Sequence, residues 1–347
     1  MQLFTLKVID IRPETADAVT VVFKQPALKK IKYRAGQYLT LMFRINGRRY
    51  LRPYSFSSAP SVSPNLEITV KRVPNGIISN HIIDQVKVGD VVEVMEAMGH
   101  FIIDEEVISQ ENHLILWGVG SGITPLMSIA KYTLHHNTCS HVKLVYGNRN
   151  NEETIFRKDI ENLSEKFGDK FSVCHFHTKP TIAVDGLSII QGRINPDKAL
   201  SIILSEGDLK NSFHYICGPS GLKESVKEAL SRLNVPSERV FAEDFEAVRD
   251  PGLFNDIVTR QVTLIVNKIE TKVEVVKGKS ILDAALDAML DVPYSCQTGN
   301  CLVCKGRLLN GEVKMIVTGE IPEDLQSNER LLCSSFPTSE NVIMSVD

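Results

Sequence analysis

A chain of 347 residues is too long to fold around one compact core, and its length predicts two or three domains. The composition is that of an ordinary globular protein, with 43% hydrophobic residues, 23% charged residues and a formal net charge of -3, so no basic excess is available to hold a nucleic-acid backbone. No apolar run approaches the roughly 20 residues that cross a bilayer, and the first residues show no export signal, so we expect a cytoplasmic protein without membrane insertion.

The first segment, residues 1 to 105, has the pattern of an all-β domain. Short alternating apolar runs occupy positions 19–23 and 38–43, and turn signals follow at Asn46-Gly47 and Asn75-Gly76. There is no long helical period. Several short strands at this spacing predict a small antiparallel β-barrel.

Seven residues from position 52, Arg-Pro-Tyr-Ser-Phe-Ser-Ser, are the most informative part of this segment. Taken alone, they are ordinary surface and half-buried strand residues. The stretch resembles the R-x-Y-S-x-x-S signature of the flavin domain in the ferredoxin reductase family. That resemblance implies bound FAD, with Tyr54 against the isoalloxazine, Ser55 near its reactive nitrogen, Arg52 on the pyrophosphate and Phe56 as a further cofactor contact.

A second run resembles the next flavin-contacting strand and phosphate turn of that family. The strand contributes Val70, Lys71 and Val73, and the turn contributes Gly76 and Ser79. A glycine permits close backbone approach, and the free amides at a helix start receive a phosphate anion. The resemblance therefore implies that this run also binds FAD.

The middle segment, residues 106 to 245, alternates strands and helices, which predicts an α/β domain with a parallel sheet covered on both faces. A buried strand at 113–117 leads into a glycine-rich turn and a helix. The turn resembles the G-x-G-x-G-x-T-P element of ferredoxin reductases and departs from the G-x-G-x-x-G fingerprint, because Ile123 stands where the last glycine would be. The residues expected to bind the nucleotide here are Gly118, Gly120, Gly122, Thr124 and Pro125. Thr124 and Pro125 are suited to cap and begin the helix, and the resemblance places Thr124 by the nicotinamide.

A second strand end, at Cys217-Gly218-Pro219, resembles the C-G-P element of the same family. The resemblance implies that Cys217 approaches the reacting carbon of the nicotinamide. The alternative is a small buried apolar residue. No histidine and acid accompany this cysteine, so a covalent nucleophile is not indicated.

Two other strand ends, at Arg149 and at Thr178-Lys179, are expected to meet the adenosine half of the nucleotide. A hydroxyl beside one cation, with a second cation near, would bind a 2'-phosphate and favours NADPH. An acidic residue gripping the ribose hydroxyls would indicate NADH, and none stands at either strand end. NADPH is therefore favoured, with NADH as the alternative.

The last segment, residues 261 to 347 after a linker at 246–260, contains the C-x4-C-x2-C...C spacing of a plant-type 2Fe-2S cluster. The expected metal ligands are Cys296, Cys301, Cys304 and Cys333. Zinc sites favour paired C-x2-C knuckles, and disulfides need an oxidising compartment, so both alternatives are weaker.

The elements around these cysteines resemble the β-grasp fold of plant-type ferredoxins. A hairpin is expected over 261–276, a helix begins at the capping-box-like Ser280 to Asp283, and a second hairpin is expected over 306–313. Leu282, Ala285, Leu286 and Met289 share one helical face and are expected in the core.

The order of flavin barrel, nucleotide domain and ferredoxin domain resembles the reductase components of bacterial oxygenases. NAD(P)H delivers two electrons together and an iron cluster takes one at a time, so a flavin must stand between them. The resemblance implies an oxidoreductase that passes electrons to a partner oxygenase, with the phenylacetyl-CoA epoxidase as one candidate. A general reductase for a P450, desaturase or Rieske oxygenase, and a redox-sensing protein, are the alternatives.

Overall fold

The computed structural model describes residues 2–179, 188–207, 211–247, 250–318 and 321–346. The chain forms two compact units. The first comprises Met1–Phe43 and Pro53–Glu243, and the second comprises Arg44–Arg52 and Asp244–Asp347. No helix within the described ranges is long and apolar enough to cross a membrane.

The first sheet confirms the expected all-β character of the amino-terminal segment. Its strands are β1 (Leu3–Thr15), β2 (Ala18–Phe23), β3 (Tyr38–Ile45), β4 (Arg48–Ser55), β5 (Leu66–Lys71) and β6 (Val91–Met95), and helix α1 (Ile77–Gln85) lies between the last two. The strand order is β4-β3-β6-β1-β2-β5, and β1 and β2, β1 and β6, and β2 and β5 pair antiparallel. A bridge between Phe56 and Ile68 joins the residues after β4 to β5. Asn46 and Gly47 have φ of 50° and 78°, so the predicted turn between β3 and β4 is confirmed.

In the second sheet every strand pairs parallel with its neighbours, as the alternation of strands and helices predicts. Its strands are β7 (His113–Val119), β8 (His141–Asn148), β9 (Phe171–His177), β10 (Ile189–Gln191), β11 (Ser212–Cys217) and β12 (Val240–Glu243), and the helices are α2 (Ile123–His136), α3 (Arg157–Phe167), α4 (Pro196–Ser205) and α5 (Ser220–Arg232). The order is β10-β9-β8-β7-β11-β12. Leu114 and Leu116 enter one core cluster, while Ile115 and Trp117 enter another, because alternate side chains of a strand point to opposite faces. Both faces of this sheet are therefore covered.

The third sheet belongs to the second unit. Its strands are β13 (Arg260–Val266), β14 (Ile269–Val275), β15 (Lys305–Asn310), β17 (Glu329–Leu331) and β19 (Val342–Ser345), while β16 (Val313–Met315) and β18 (Ser335–Pro337) form a separate pair. The hairpin expected over 261–276 is confirmed as β13 and β14. The hairpin expected over 306–313 is wrong, since β15 pairs with β17 and β19 and β16 pairs with β18. β15 and β16 belong to different sheets, which a local turn signal does not reveal.

Helix α6 (Ile281–Asp287) begins as its sequence predicts, because Ser280 and Asp283 exchange both hydrogen bonds of a capping box. Leu282 and Ala285 are buried. Met289 is 83% exposed, so its expected place in the core is wrong. The helix has already ended, and Met289 has a left-handed φ of 57°, which turns its side chain away from the helical stripe.

The second half of the expected linker packs on the last segment. Pro251–Phe254 forms a 3-10 turn. Ile257 is 1% exposed and forms a small core with Ile316 and Phe336. This stretch is therefore part of the second unit.

Candidate functional site

The carboxyl ends of β7 and β11 lie side by side at the point where the chain reverses direction across the parallel sheet. From β7 the chain builds β8, β9 and β10 on one side, and it then crosses to β11 on the other. Gly118 is opposite Cys217 in this register. Parallel α/β sheets bind ligands at such a switch point, outside the carboxyl ends of the strands. The fold thus brings the two sequence motifs of the nucleotide segment together.

The turn after β7 is closely packed on the turn after β11. Gly120 has a φ of 55°, and a Cβ on Gly122 would lie 2.1 Å from the carbonyl oxygen of Cys217. Backbone atoms cannot move aside as the end of a side chain does, so position 122 requires glycine. The turn fits a dinucleotide at Gly120, because this residue is half-buried, has no side chain and lies just before the start of α2.

Thr124 does not cap helix α2, contrary to expectation. The helix begins at Ile123 with Gly122 as the capping position and no side-chain cap. The Thr124 hydroxyl, 2% exposed, donates instead to the carbonyl oxygen of Ser121 at 3.0 Å. Pro125 occupies the first turn of α2, where its missing N–H needs no partner. This arrangement fixes the glycine turn against the helix.

Cys217 has no exposed surface and belongs to the same core cluster as Tyr215 and Ile123. Its thiol therefore packs inside the protein, as expected of a small apolar side chain. Gly218 is half-buried and Pro219 is exposed at the start of α5. The chain thus leaves β11 through residues that have access to solvent.

The ends of β8 and β9 continue side by side beyond the sheet. The N–H of Thr178 donates to the carbonyl of Asn148 at 3.1 Å, and the N–H of Lys179 donates to the carbonyl of Arg149 at 2.8 Å. The two cations predicted for the adenosine site are therefore neighbours. Pro180, which follows Lys179 in the sequence, lies outside the described residues.

An acidic side chain lies at these two cations, although the sequence places none at either strand end. The Glu153 carboxylate is 3.3 Å from the Arg149 guanidinium and 4.0 Å from the Lys179 ammonium. The first contact joins residues four positions apart in the turn after β8, a spacing that predicts an ion pair only on a helix. The second contact depends on the register of β8 and β9 and has no local signal.

In the flavin motif, Arg52 and Tyr54 are half-buried while Ser55 is 5% exposed. Phe56 and Val70 have no exposed surface, and Phe56 stacks on Tyr33 with ring centroids 4.0 Å apart. The side chains of Phe56 and Val70 are therefore part of the core. Accessible groups of the motif are found at Arg52 and Tyr54.

The expected phosphate turn lies at the start of α1, which begins directly after Gly76. Ser79 accepts a hydrogen bond from the N–H of Val73 at 3.1 Å, so its own hydroxyl hydrogen can be donated elsewhere. A Cβ on Gly76 would lie 2.7 Å from the Ser79 hydroxyl oxygen. Lys71 is half-buried at the end of β5. The turn fits a phosphate through a small residue, a hydroxyl and helix amides.

The four cysteines of the cluster motif lie in two pairs. Cys301 donates to Cys296 and lowers the pKa of that thiol, and Cys304 donates to Cys333 and lowers the pKa of that thiol in the same way. In the described part of the chain, no three His, Cys, Asp or Glu side chains meet around a single metal position. Two pairs of sulfurs fit a two-iron cluster, in which each iron takes two cysteine thiolates.

Backbone amides in the cluster loop point toward the thiols. The N–H of Thr298 donates to the Cys296 sulfur at 3.4 Å, and the N–H of Cys296 donates to the Cys301 sulfur at 3.5 Å. Gly299 has a φ of 94°, and a Cβ there would lie 2.9 Å from the Ser334 hydroxyl oxygen. Such amides stabilise negative charge on sulfur, so the loop also fits the cluster.

Two residues before Cys296, Tyr294 holds the Arg44–Arg52 segment within the second unit. The N–H of Leu51 donates to the Tyr294 hydroxyl at 3.0 Å, and an Arg49 guanidinium nitrogen donates to the carbonyl of Val292 at 3.1 Å. A cavity of about 310 Å³ is lined by Arg52, Tyr294 and Gln297, among others. The arginine predicted for the flavin pyrophosphate and a residue of the cluster loop therefore border one space.

Three family models match successive parts of the chain. They describe an oxidoreductase FAD-binding domain over residues 5–103, an oxidoreductase NAD-binding domain over 116–228 and a 2Fe-2S iron-sulfur cluster binding domain over 264–338. These matches confirm the prediction of FAD, a nicotinamide nucleotide and a 2Fe-2S cluster as cofactors.

Several relatives match along nearly the whole length of both chains. One component of the 1,2-phenylacetyl-CoA epoxidase of Escherichia coli K12 is 29% identical over 99% of this chain and 97% of its own length. The ferredoxin reductase component of the 3-ketosteroid-9-alpha-monooxygenase of Rhodococcus rhodochrous is 32% identical over 95% of this chain and 93% of its own. A solved structure of phthalate dioxygenase reductase has a TM-score of 0.67 and 26% identity, and the match covers 99% of this chain and 98% of that one.

Proposed function

This chain belongs to the ferredoxin reductase family of oxygenase reductase components, and on that premise we propose that its electron acceptor is a phenylacetyl-CoA epoxidase. It is an oxidoreductase that takes electrons from NAD(P)H and passes them through FAD and a 2Fe-2S cluster to an oxygenase. Bound FAD supplies the conversion between hydride transfer and single-electron transfer. The match to the epoxidase component covers nearly the whole length of both chains and supports this acceptor.

The observation that carries the reductase function is the meeting of two motifs at the switch point of the parallel sheet. The turns after β7 and β11 pack together through Gly122 and Cys217. We propose that Thr124 and Cys217 border the nicotinamide, with Gly118, Gly120, Pro125, Gly218 and Pro219 along the nucleotide. A redox sensor would not need this hydride-donor site.

The flavin contacts are proposed from the motif and its exposed groups. Tyr54 and Ser55 would lie at the isoalloxazine, Arg52 would bind the pyrophosphate, and Gly76 with Ser79 would receive a phosphate. Phe56, Val70, Lys71 and Val73 complete the proposed set. The core positions of Phe56 and Val70 support a role in shaping the strand behind the cofactor.

For the cluster, we propose Cys296, Cys301, Cys304 and Cys333 as the four ligands. Their arrangement in two pairs supports this assignment. For the nucleotide, Arg149, Thr178 and Lys179 are proposed to meet the adenosine ribose, with NADPH as the favoured donor because two cations are adjacent there.

We propose the following domain boundaries for the chain: 1–105 for the FAD-binding domain, 106–245 for the nucleotide-binding domain, 246–260 for the linker and 261–347 for the ferredoxin domain. The first sheet is proposed to close into a β-barrel, and the bridge between Phe56 and Ile68 supports closure. The third sheet with α6 is proposed to be a β-grasp ferredoxin fold. A cytoplasmic location is proposed for the whole chain.

Two measurements test this function. Cytochrome c reduction with NADPH or NADH tests the reductase, and turnover of either nucleotide is expected, whereas a cluster-bearing protein without turnover would indicate a sensor. Product formation by the oxygenase component of a phenylacetyl-CoA epoxidase then tests the acceptor. A ketosteroid monooxygenase is the control, and more efficient coupling to it would overturn the assignment of the acceptor.

A further inference from the structure

Glu153 is held in place by the turn that follows β8. Its N–H donates to the Asn150 side-chain oxygen at 3.0 Å, and the N–H of Thr154 donates to the carbonyl of Asn151 at 3.1 Å. The Thr154 hydroxyl also donates to the carbonyl of Asn150 at 3.1 Å. These bonds order the backbone of residues 150–154, from which the Glu153 side chain extends to the two cations.

The carboxylate lies deeper than the two cations that it faces. The side chain of Glu153 is 24% exposed, against 65% for Arg149 and 60% for Lys179. A ligand arriving from solvent therefore meets the two cations with an anion already placed between them. One negative charge offsets one of the two positive charges, and an incoming phosphate must compete with it.

We infer that Glu153 weakens the preference for NADPH over NADH by competing with the 2'-phosphate for Arg149 and Lys179. A 2'-phosphate carries about two negative charges near neutral pH and would gain contacts with both cations only by displacing or approaching the carboxylate. A free ribose 2'-hydroxyl brings no charge, and a carboxylate can accept its hydrogen bond. Glu153 therefore penalises NADPH and tolerates NADH, which makes the site less selective for NADPH than its two cations alone would be.

This inference rests on the proposed nucleotide site, and binding of nucleotide fragments tests it without any redox turnover. The probes are 2',5'-ADP, which carries the 2'-phosphate, and 5'-AMP, which lacks it. Their dissociation constants are measured by isothermal titration calorimetry on the full-length protein at one fixed salt concentration, since phosphate contacts depend on salt. The variant is Glu153→Gln, which removes the charge and keeps the size of the side chain.

Glu152→Gln is the matched control. It removes one negative charge from the same turn, and within the described ranges Glu152 forms no ion pair with Arg149 or Lys179. We expect Glu153→Gln to strengthen binding of 2',5'-ADP about tenfold relative to 5'-AMP, and Glu152→Gln to change that ratio less than about twofold, because Coulomb energy falls with distance and with screening. Equal melting temperatures show that both variants are folded.

Three outcomes overturn the inference. In the first, Glu153→Gln leaves the ratio of the two dissociation constants unchanged or shifts it in favour of 5'-AMP. In the second, Glu152→Gln changes the ratio as much as Glu153→Gln does, which would mean that the overall charge of the turn, and not the Glu153 contact, controls binding. Alternatively, neither wild type nor Glu153→Gln binds 2',5'-ADP. If NADH still reduces the bound flavin in that last case, the reductase function stands and only the 2'-phosphate site fails. If neither nucleotide reduces it, the proposed function itself fails.

Discussion

The α-carbon of Gly122 approaches the backbone of Cys217 so closely that an added Cβ would lie 2.1 Å from the Cys217 carbonyl oxygen and 2.5 Å from its carbonyl carbon. Gly122 precedes α2 and Cys217 ends β11. The contact therefore fixes the distance between the two turns at the switch point. We expect Gly122→Ala to destabilise the protein by about 3 kcal/mol or more, because backbone atoms must shift to admit the methyl group. Thermal or urea unfolding measures this change.

Gly221→Ala is the control for that substitution. Gly221 lies in α5, and a Cβ there would meet nothing within 4 Å. Alanine lowers the conformational entropy of the unfolded chain, so this variant is expected to gain roughly 0.4–1 kcal/mol. If both variants lost the same stability, the close approach at Gly122 would not be the cause.

Sequence patterns predict the parts of this structure that depend on near neighbours. The capping box at Ser280 is formed within four residues, and the glycine turn before α2 is read from a single motif. Contacts fixed by tertiary packing have no such signal. The Glu153 carboxylate reaches Lys179 only because β8 and β9 are in register. The Tyr294 hydroxyl accepts a hydrogen bond from the N–H of Leu51, which lies 243 positions away in the sequence.

Tyr294→Phe tests the contact between the Arg44–Arg52 segment and the rest of the second unit. Tyr294 is 1% exposed and Leu51 has no exposed surface, so losing the hydroxyl leaves the buried N–H of Leu51 without its acceptor. We expect a loss of about 1–3 kcal/mol in the free energy of unfolding. Tyr132→Phe, which removes a hydroxyl that donates to Glu105 at an exposed site, is expected to cost about 1 kcal/mol or less. Equal losses would contradict a special contribution of the Tyr294 contact.

Cys301→Ala tests the cluster ligands. If Cys296 and Cys301 bind the same iron, removing the Cys301 sulfur would leave that iron with a single protein ligand, so we expect most of the bound iron and the visible cluster absorbance to be lost. Cys139→Ala is the control. Its thiol is buried outside the motif, and burial raises its pKa to about 12, so it is not a thiolate near neutral pH. The iron and sulfide content of each variant is measured after reconstitution. An iron content in Cys301→Ala equal to that of the wild type would refute the ligand assignment.

Two buried histidines make stability depend on pH. Burial lowers the pKa of His214 to about 3 and that of His175 to about 4. Trp117 donates its indole N–H to Nδ1 of His214 at 3.2 Å, which requires an unprotonated nitrogen there. Well above pH 6.5 both rings are neutral in the folded and unfolded chains. As the pH falls below 6.5, the unfolded chain binds protons that the folded chain does not, so stability decreases.

Each of these histidines is expected to lower the free energy of unfolding by about 1.4 kcal/mol per pH unit between roughly pH 6 and pH 5. His214→Gln removes one titrating group, so its slope over this window should be smaller than that of the wild type by about that amount, even though the substitution itself destabilises the core. Urea unfolding at pH 7.5, 6 and 5 measures both slopes. A His214→Gln slope equal to that of the wild type would show that His214 is already protonated in the folded protein or neutral in both states.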